Sequence, residues 1–336
     1  GIKGTVFGAS EGGFIHDGSH REAVKFGLVG ATFHPQVHNR EVDGTANPNP
    51  WTGLTASSVN YTEIHDNSTL YDKLVLVEPR ADEMHYERLQ KTALGLVILA
   101  QGQPVLHAGM EFMRTKEIPA DLLASHHSLH DLYWTADRTR AFSHNTYNLS
   151  DRINALDWNR CADKRGVVDY VRGLIAVRRS HPMFRLRTEE EVSSALSFLE
   201  PDPHSDVPMV LPDPELVPPD SPAAEMQAAR HHPVGGNPPL LAWKISGEGT
   251  GDSWRSACVI VNPASAAVPF RLPGCAEGFS WRLVTDGEWF MPGAIPSAGV
   301  KTAGAGVPSM EPSFADPAPG TVVTIAPKAL YLYAEF

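Results

Sequence analysis

The chain has 336 residues, with 28 Lys+Arg against 39 Asp+Glu, a formal charge of −11, 42% apolar residues and 20% charged ones. At about twice the usual single-domain size, it predicts one large barrel or two packed domains of roughly 150 residues. The acidic balance, without a block of about five or six like charges, argues against a nucleic-acid phosphate backbone or an anionic membrane surface as the main partner. No run of about eighteen apolar residues is present to span a bilayer. The opening Gly1-Ile2-Lys3-Gly4 carries neither a signal peptide nor an initiating Met, so the expectation is a chain that begins inside a longer protein.

The first fifty residues are rich in Gly, His, Asn and Pro, with short apolar pieces such as Val6-Phe7 and Ala23–Phe26 and no sustained period, and predict loops with one short helix. Ser57–Ile64 is β-branched and aromatic and stops at the polar cluster His65-Asp66-Asn67-Ser68-Thr69, a strand followed by a loop. From Asp82, a candidate N-cap, to Ala100, apolar residues recur at helical spacing. Gly102-Gln103-Pro104 breaks that helix, and Val105–Ala108 predicts a short buried strand. A second helix is predicted from about Asp163 to Ser180, with Val167, Tyr170, Val171, Leu174 and Ile175 as its buried stripe and Arg178 and Arg179 in the last turn, where the helix dipole favours cations. Strand, helix, strand, loop, helix is the repeating unit of an α/β barrel or a doubly wound sheet.

Beyond Pro182 the texture changes. Eleven prolines fall from Pro201 to Pro239, predicting a long exposed linker. Then Leu240–Ile245, Ala257–Val261, Ser280–Val284, Thr321–Ile325 and Ala329–Tyr333 are short β-rich runs between Gly and Pro turns, as in an antiparallel β-sandwich. The fold class expected is therefore α/β followed by all-β, in three parts: residues 1–186, a linker at 187–239, and a sandwich at 240–336. Cys161, Cys258 and Cys275 are too few and too scattered for a disulfide framework; a single Cys258–Cys275 bridge is one reading, reduced buried thiols the favoured one.

Side chains at the C-terminal end of a barrel strand face the active site, so the polar set after Ile64 is weighed first. His65 and Asp66 can offer a donor and a carboxylate to one hydroxyl-rich ligand. The competing reading makes Asp66 a loop carboxylate that caps the next turn. His126, His127 and His130 lack a carboxylate or Cys spaced to complete a zinc site, His34 and His38 flank Pro35, and Gly235-Gly236 and Gly304 with Gly306 lack the strand-to-helix context of a phosphate cradle. No Asp-rich loop indicates calcium, and no cofactor is required.

Several segments, in consistent order, decide between these readings. Val59-Asn-Tyr-Thr-Glu-Ile-His-Asp-Asn-Ser-Thr-Leu-Tyr-Asp-Lys-Leu74 resembles the fourth conserved region of the α-amylase family of glycoside hydrolases, in the version carried by type I pullulanases and limit dextrinases. Gln101–Pro104 with His107–Lys116 resembles that family's strand-eight segment, Asn145-Thr-Tyr-Asn148 with Asp151 and Asn154–Trp158 its Asn-Ser-Tyr-Asn loop, and Leu174–Arg185 the last barrel helix. The opening Gly1–Phe7 with Gly13-Phe14 resembles the stretch after strand six. The resemblance is specific over residues 1–200 and architectural over 240–336.

It implies the C-terminal part of a (β/α)8 TIM barrel with a C-terminal β domain, and retaining hydrolysis of α-1,6-glucosidic branch points in pullulan, amylopectin or limit dextrins. Asp66 would stabilise the transition state, and His65, Asn67, Asn145 and Tyr147 would bind an α-glucan, while Glu111 and Arg114 would be structural. Met110 stands where the family has an acidic residue, Ser150 where it has Gly, and residues 117–143 are longer than the corresponding loop. No segment supplies the strand-four nucleophile or the strand-five acid/base: Arg80-Ala81-Asp82 opens a helix, and Glu288-Trp289 lies in the β region. The chain would be a fragment, inactive alone, whose partner is the missing N-terminal part of its own barrel. The alternatives are a non-catalytic α-glucan-binding module and an α-1,4-active relative. Sequons at Asn60, Asn67 and Asn148, two of them in the candidate site, favour a bacterial, plastid or cytosolic setting over eukaryotic secretion.

Overall fold

The computed structural model describes residues 1–5, 11–42, 50–123, 132–201, 208–210, 240–294, 317 and 320–336. Helices α1 (Phe14–Asp17) and α2 (Arg21–Leu28) precede strand β1 (Val59–Asn60). Helices α3 (Leu70–Val77) and α4 (Glu83–Leu99) then lead to β2 (Gln103–Pro104), which runs parallel to β1 with Val59 opposite Gln103. Next come α5 (Ala120–Leu123), the antiparallel pair β3 (Leu132–Trp134) and β4 (Ala141–Ser143), and helices α6 (Asp151–Asn154), α7 (Trp158–Asp163), α8 (Arg165–Ser180) and α9 (Glu189–Ala195). Strands β5 (Leu196–Pro201), β6 (Pro208–Val210), β7 (Leu241–Ser246), β8 (Ser256–Asn262), β9 (Val268–Arg271), β10 (Trp281–Thr285), β11 (Val322–Ile325) and β12 (Ala329–Glu335) complete the order. Among the described residues no helix is long and apolar enough to cross a membrane.

Local chemistry explains the two long helices. The Asp82 carboxylate accepts the His85 N–H at 2.8 Å and starts α4 where the sequence predicts. Every residue from Leu89 to Leu99 is buried, so the C-terminal half of α4 is enclosed all round instead of along one stripe. Its last carbonyls are not orphaned: the Arg178 guanidinium on α8 donates to Ile98 O and Ala100 O, and also to Gly102 O. The α8 stripe is as predicted except at Ile175, which is exposed.

The main sheet is six-stranded and antiparallel, in the order β10-β12-β8-β7-β5-β6. Alternation sorts its side chains. Leu241, Trp243 and Ile245 of β7, Ala257, Val259 and Val261 of β8, and Leu330, Leu332 and Ala334 of β12 join the core formed with the helices. Ala242, Cys258, Ile260 and Tyr333 face the other way, into a second cluster with Val268 and Phe270 of β9 and Ile325 of β11. Strands covered on both faces read as continuous apolar runs. The predicted sandwich is therefore lopsided: one large sheet has helices on one face and the two-stranded β9–β11 ribbon on the other. Two mid-helix glycines let the layers close. A Cβ on Gly95 of α4 would stand 2.7 Å from Leu330 Cδ1, and one on Gly173 of α8 would stand 2.2 Å from Phe290 Cε2. Each glycine costs about 1 kcal/mol of helix propensity, which close approach of the layers offsets. Cys161, Cys258 and Cys275 are free thiols.

The boundary expected at residue 187 is not a linker boundary. Thr188 caps α9, its side chain accepting the Glu191 N–H at 3.3 Å, and Glu189, Glu190 and Glu191 crowd the first turn, where the dipole favours anions. Strand β5 then pairs with β7, Phe198 opposite Trp243, so Val192, Leu196 and Phe198 belong to the main core. The prolines that coloured the segment lie at its far end, and residues 202–207 and 211–239 fall outside the described set.

The edge of β5 is pinned from the N-terminal region. The Gln36 side chain accepts the Phe198 N–H at 2.8 Å and donates to Phe198 O at 2.9 Å, while buried His34 donates from Nε2 to Leu196 O at 3.0 Å and accepts the Gln36 N–H on Nδ1 at 3.2 Å. Burial first, and then the nearby Lys25 charge, push the His34 imidazole down to about 4 despite its bond to Leu196. Between about pH 6.5 and 4 the unfolded chain therefore binds the extra proton, and the His34 contribution to stability falls as pH falls, by up to about 3 kcal/mol. Burial pushes Asp72 up to about 6, which acts in the opposite sense over the same range. A difference measurement cancels Asp72: the stability gap between the parent and His34→Gln, from urea unfolding, should narrow from pH 7 to pH 4.5. A gap independent of pH would refute it.

Candidate active site

The strand predicted over 57–64 pairs only at Val59–Asn60, because β2 offers two residues of partner. Residues 61–69 form the loop into α3. Within it Asn67 has φ +63°, a left-handed conformation that Asn tolerates better than most residues. His65 and Asp66 project from this turn, their side chains 74% and 66% exposed, with Nδ1 3.1 Å from Oδ1. Capping of α3 falls to others. Thr69 Oγ1 accepts the Asp72 N–H at 3.1 Å, and Glu63 Oε2 accepts the Leu70 N–H at 2.6 Å. The capping role that competed for Asp66 is thus already filled.

Beneath the turn lies a polar network of which the sequence reading singled out only Arg114, as structural. Buried Glu63 also meets His107 Nδ1 at 3.0 Å. Arg114 Nη1 lies 3.1 Å from His107 Nε2, and since a guanidinium only donates, the ring proton sits on Nδ1 and points at Glu63. Arg114 Nη2 donates to Asn154 O at 3.2 Å, and the Asn154 amide donates to Thr146 O at 2.7 Å and Leu149 O at 3.0 Å. Glu63, His107, Arg114 and Asn154 therefore couple the 65–67 turn to the loop that carries Asn145 and Tyr147. Asn145 is half-buried, its carbonyl accepting from Ser143 Oγ at 3.1 Å, and Tyr147 is 83% exposed. Glu111 accepts the Gly109 N–H at 3.0 Å and so braces its own turn. Met110 is fully buried, an apolar fit where a carboxylate would be desolvated.

Two lysines hold the turn from inside. Lys116 Nζ donates to His65 O at 2.7 Å and Asn67 O at 2.9 Å, and Lys3 Nζ donates to Ser68 O at 2.8 Å. Desolvation pushes the Lys3 ammonium down to about 8 and lowers that of Lys116 as well. Asp72, fully buried, accepts from Thr115 Oγ1 at 2.5 Å and Lys116 N at 2.9 Å. Of the three carboxylates around the turn, Glu63 and Asp72 are committed inward and Asp66 faces outward. Among the described residues no group of three or more His, Cys, Asp or Glu side chains is placed to hold a metal ion, and His126, His127 and His130 lie outside those residues, as do Gly235, Gly236, Gly304 and Gly306.

Comparison with known proteins adds the following. Residues 222–306 match the family described as isoamylase, C-terminal. The pullulanase of Bacillus subtilis (strain 168) is 26% identical over 290 residues, covering 86% of this chain and 30% of the relative. An isoamylase of Flavobacterium sp is 28% identical over 203 residues, covering 58% of this chain and 20% of the relative. In structure, the type I pullulanase of Bacillus subtilis str. 168 complexed with maltose superposes with a TM-score of 0.65 at 23% identity, over 99% of this chain and 34% of that one. The apo pullulanase of Paenibacillus barengoltzii gives 0.61 at 25% identity, over 99% and 36%. The chain thus spans about a third of the length of these pullulanases.

Proposed function

We propose that this chain, a relative of the pullulanases and isoamylases, is the C-terminal part of a starch-debranching glycoside hydrolase that cleaves α-1,6-glucosidic linkages with retention in pullulan, amylopectin or limit dextrins. The observation that carries the reading is the placement of Asp66, the single outward carboxylate of the turn, on a loop leaving the C-terminal end of β1. In a retaining hydrolase one carboxylate attacks the anomeric carbon, a second protonates the departing oxygen, and an oxocarbenium-like state forms between them. Asp66 is the third carboxylate, whose charge and hydrogen bonds favour that state. His65 and Asn67 contact the same ring, and Asn145 with the exposed ring of Tyr147 lines the cleft.

The β1–α3–α4–β2 unit, with its parallel strands, is read as the closing quarter of a (β/α)8 barrel, followed by the Pro-rich segment and the β domain. Val59, Tyr61 and Ile64 are exposed beside β1, and a cavity of about 160 Å3 lined by Gly27, Leu28, Val59, Asn60, Tyr61 and Leu96 opens on the same side. Both fit a face that further barrel strands cover, and those strands bring the nucleophile and the acid/base. The test is the protein extended upstream, incubated with pullulan. Maltotriose as the product supports α-1,6 cleavage; hydrolysis of amylose with pullulan untouched would point to the α-1,4-active alternative, and glucan binding without hydrolysis to the binding module.

A further inference from the structure

Lys116 is 1% exposed. A lysine so enclosed is tolerated only where acceptors surround its ammonium. The hydrogen bonds of the ammonium go to neither Glu63 nor Asp72 but to the backbone, at His65 O and Asn67 O, the carbonyls on either side of Asp66. Lys3 takes the following carbonyl, of Ser68. Lys116 is itself fixed through its backbone. Its N–H donates to Asp72 Oδ2 on α3, and its carbonyl accepts the Ser143 N–H at 3.1 Å on β4. The turn is thus tied at two carbonyls, through Lys116, to the helix that follows it and to the strand beside it, and at a third, through Lys3, to the N-terminal segment.

Side-chain chemistry narrows the role. A compact ammonium with three tetrahedral donors bridges two carbonyls in a closed space, whereas the planar guanidinium of Arg is too large for the same site. Met has similar length without donors and leaves both carbonyls unpaired. Arg114, Lys3, Asp72, Glu63 and Asp66 are charged groups around Lys116, and with both inward carboxylates committed elsewhere, the group whose direction depends on these bonds is Asp66.

We propose that Lys116, assisted by Lys3, is a positioning residue that clamps the backbone on both sides of Asp66 and so fixes where its carboxylate leaves the turn. This rests on the assignment of Asp66 given above. A stabilising charge displaced by about 1 Å loses much of its effect on the transition state while ground-state binding changes little.

The experiment is a double-mutant cycle on pullulan in the upstream-extended protein, with the melting of each variant recorded. Lys116→Met is expected to lower kcat by about tenfold or more, with KM within roughly threefold. In an Asp66→Asn background the same change should lower kcat by less than about threefold, because the group it positions has lost its charge. Equal fractional losses in both backgrounds overturn the proposal, as does an unchanged kcat in Lys116→Met where Asp66→Asn is severe. If Lys116→Met does not fold, Lys3→Met, which releases only the Ser68 carbonyl, takes its place in the cycle. Its expected loss in kcat is roughly threefold to tenfold, absent in the Asp66→Asn background; no loss, or the same loss in both, overturns the proposal. A near-normal kcat for Asp66→Asn alone removes the assignment of the site and the positioning role with it.

Discussion

Asp66→Asn in the upstream-extended protein should lower kcat on pullulan by about a hundredfold or more, roughly 3 kcal/mol of transition-state stabilisation. The substitution keeps the shape of the side chain and removes its charge. If the carboxylate binds the sugar more strongly as positive charge grows at the anomeric carbon, the loss appears in kcat rather than KM. Stability separates this from a structural role. Thr69 and Glu63 cap α3, and the Asp66 side chain is largely exposed, so the melting temperature should stay close to the parent's, within the roughly 0.5 kcal/mol usual for surface positions. A near-normal kcat, or a large fall in stability, would refute the assignment.

The second large effect concerns residues 1–336 alone, which should release no maltotriose from pullulan above background. Glu63 binds Leu70 N and His107, and Asp72 binds Thr115 and Lys116, so neither is free to attack a sugar or to protonate a leaving group. Asp66 by itself has no covalent intermediate to stabilise, and removal of a nucleophile or its proton partner abolishes most of the rate enhancement in such sites. Measurable maltotriose from the purified chain would refute this. It would also locate the two working carboxylates within the chain.

Where the sequence was informative, one local cause dominated. The start of α4 follows from Asp82, and strands β7, β8 and β12 from β-branched runs between turn residues. Strand β5 and helix α9 escaped because the eleven prolines from Pro201 onward set the texture of the whole segment, although Thr188 followed by three glutamates is itself a helix-start signal. Strand β9 escaped because Pro269 lies inside it; the proline faces solvent, in a two-stranded ribbon. In the site, His65 and Asp66 stood out because they are adjacent at the end of a β-branched run. Glu63 is far along the chain from His107 and Arg114, and its pairing with His107 depends on β1 and β2 lying side by side. A carboxylate near the end of one parallel strand and a histidine soon after the next was the available signal. Lys116 gave none, since its acceptors are backbone carbonyls and carry no sequence identity.

The shared core between the helices and the six-stranded sheet bears on how such proteins exchange parts. Leu330 fills the notch left by Gly95, and Phe290 the notch left by Gly173, so each layer carries half of a matched pair. A chimera joined near residue 240, with the β region taken from a relative, would set these notches against side chains selected to meet another helix surface. It would also divide the sheet, leaving β5 with one parent and β7 with the other. Helices α4 and α8 and the sheet are in this sense a single unit of inheritance, and viable crossovers belong in the connections upstream of α3.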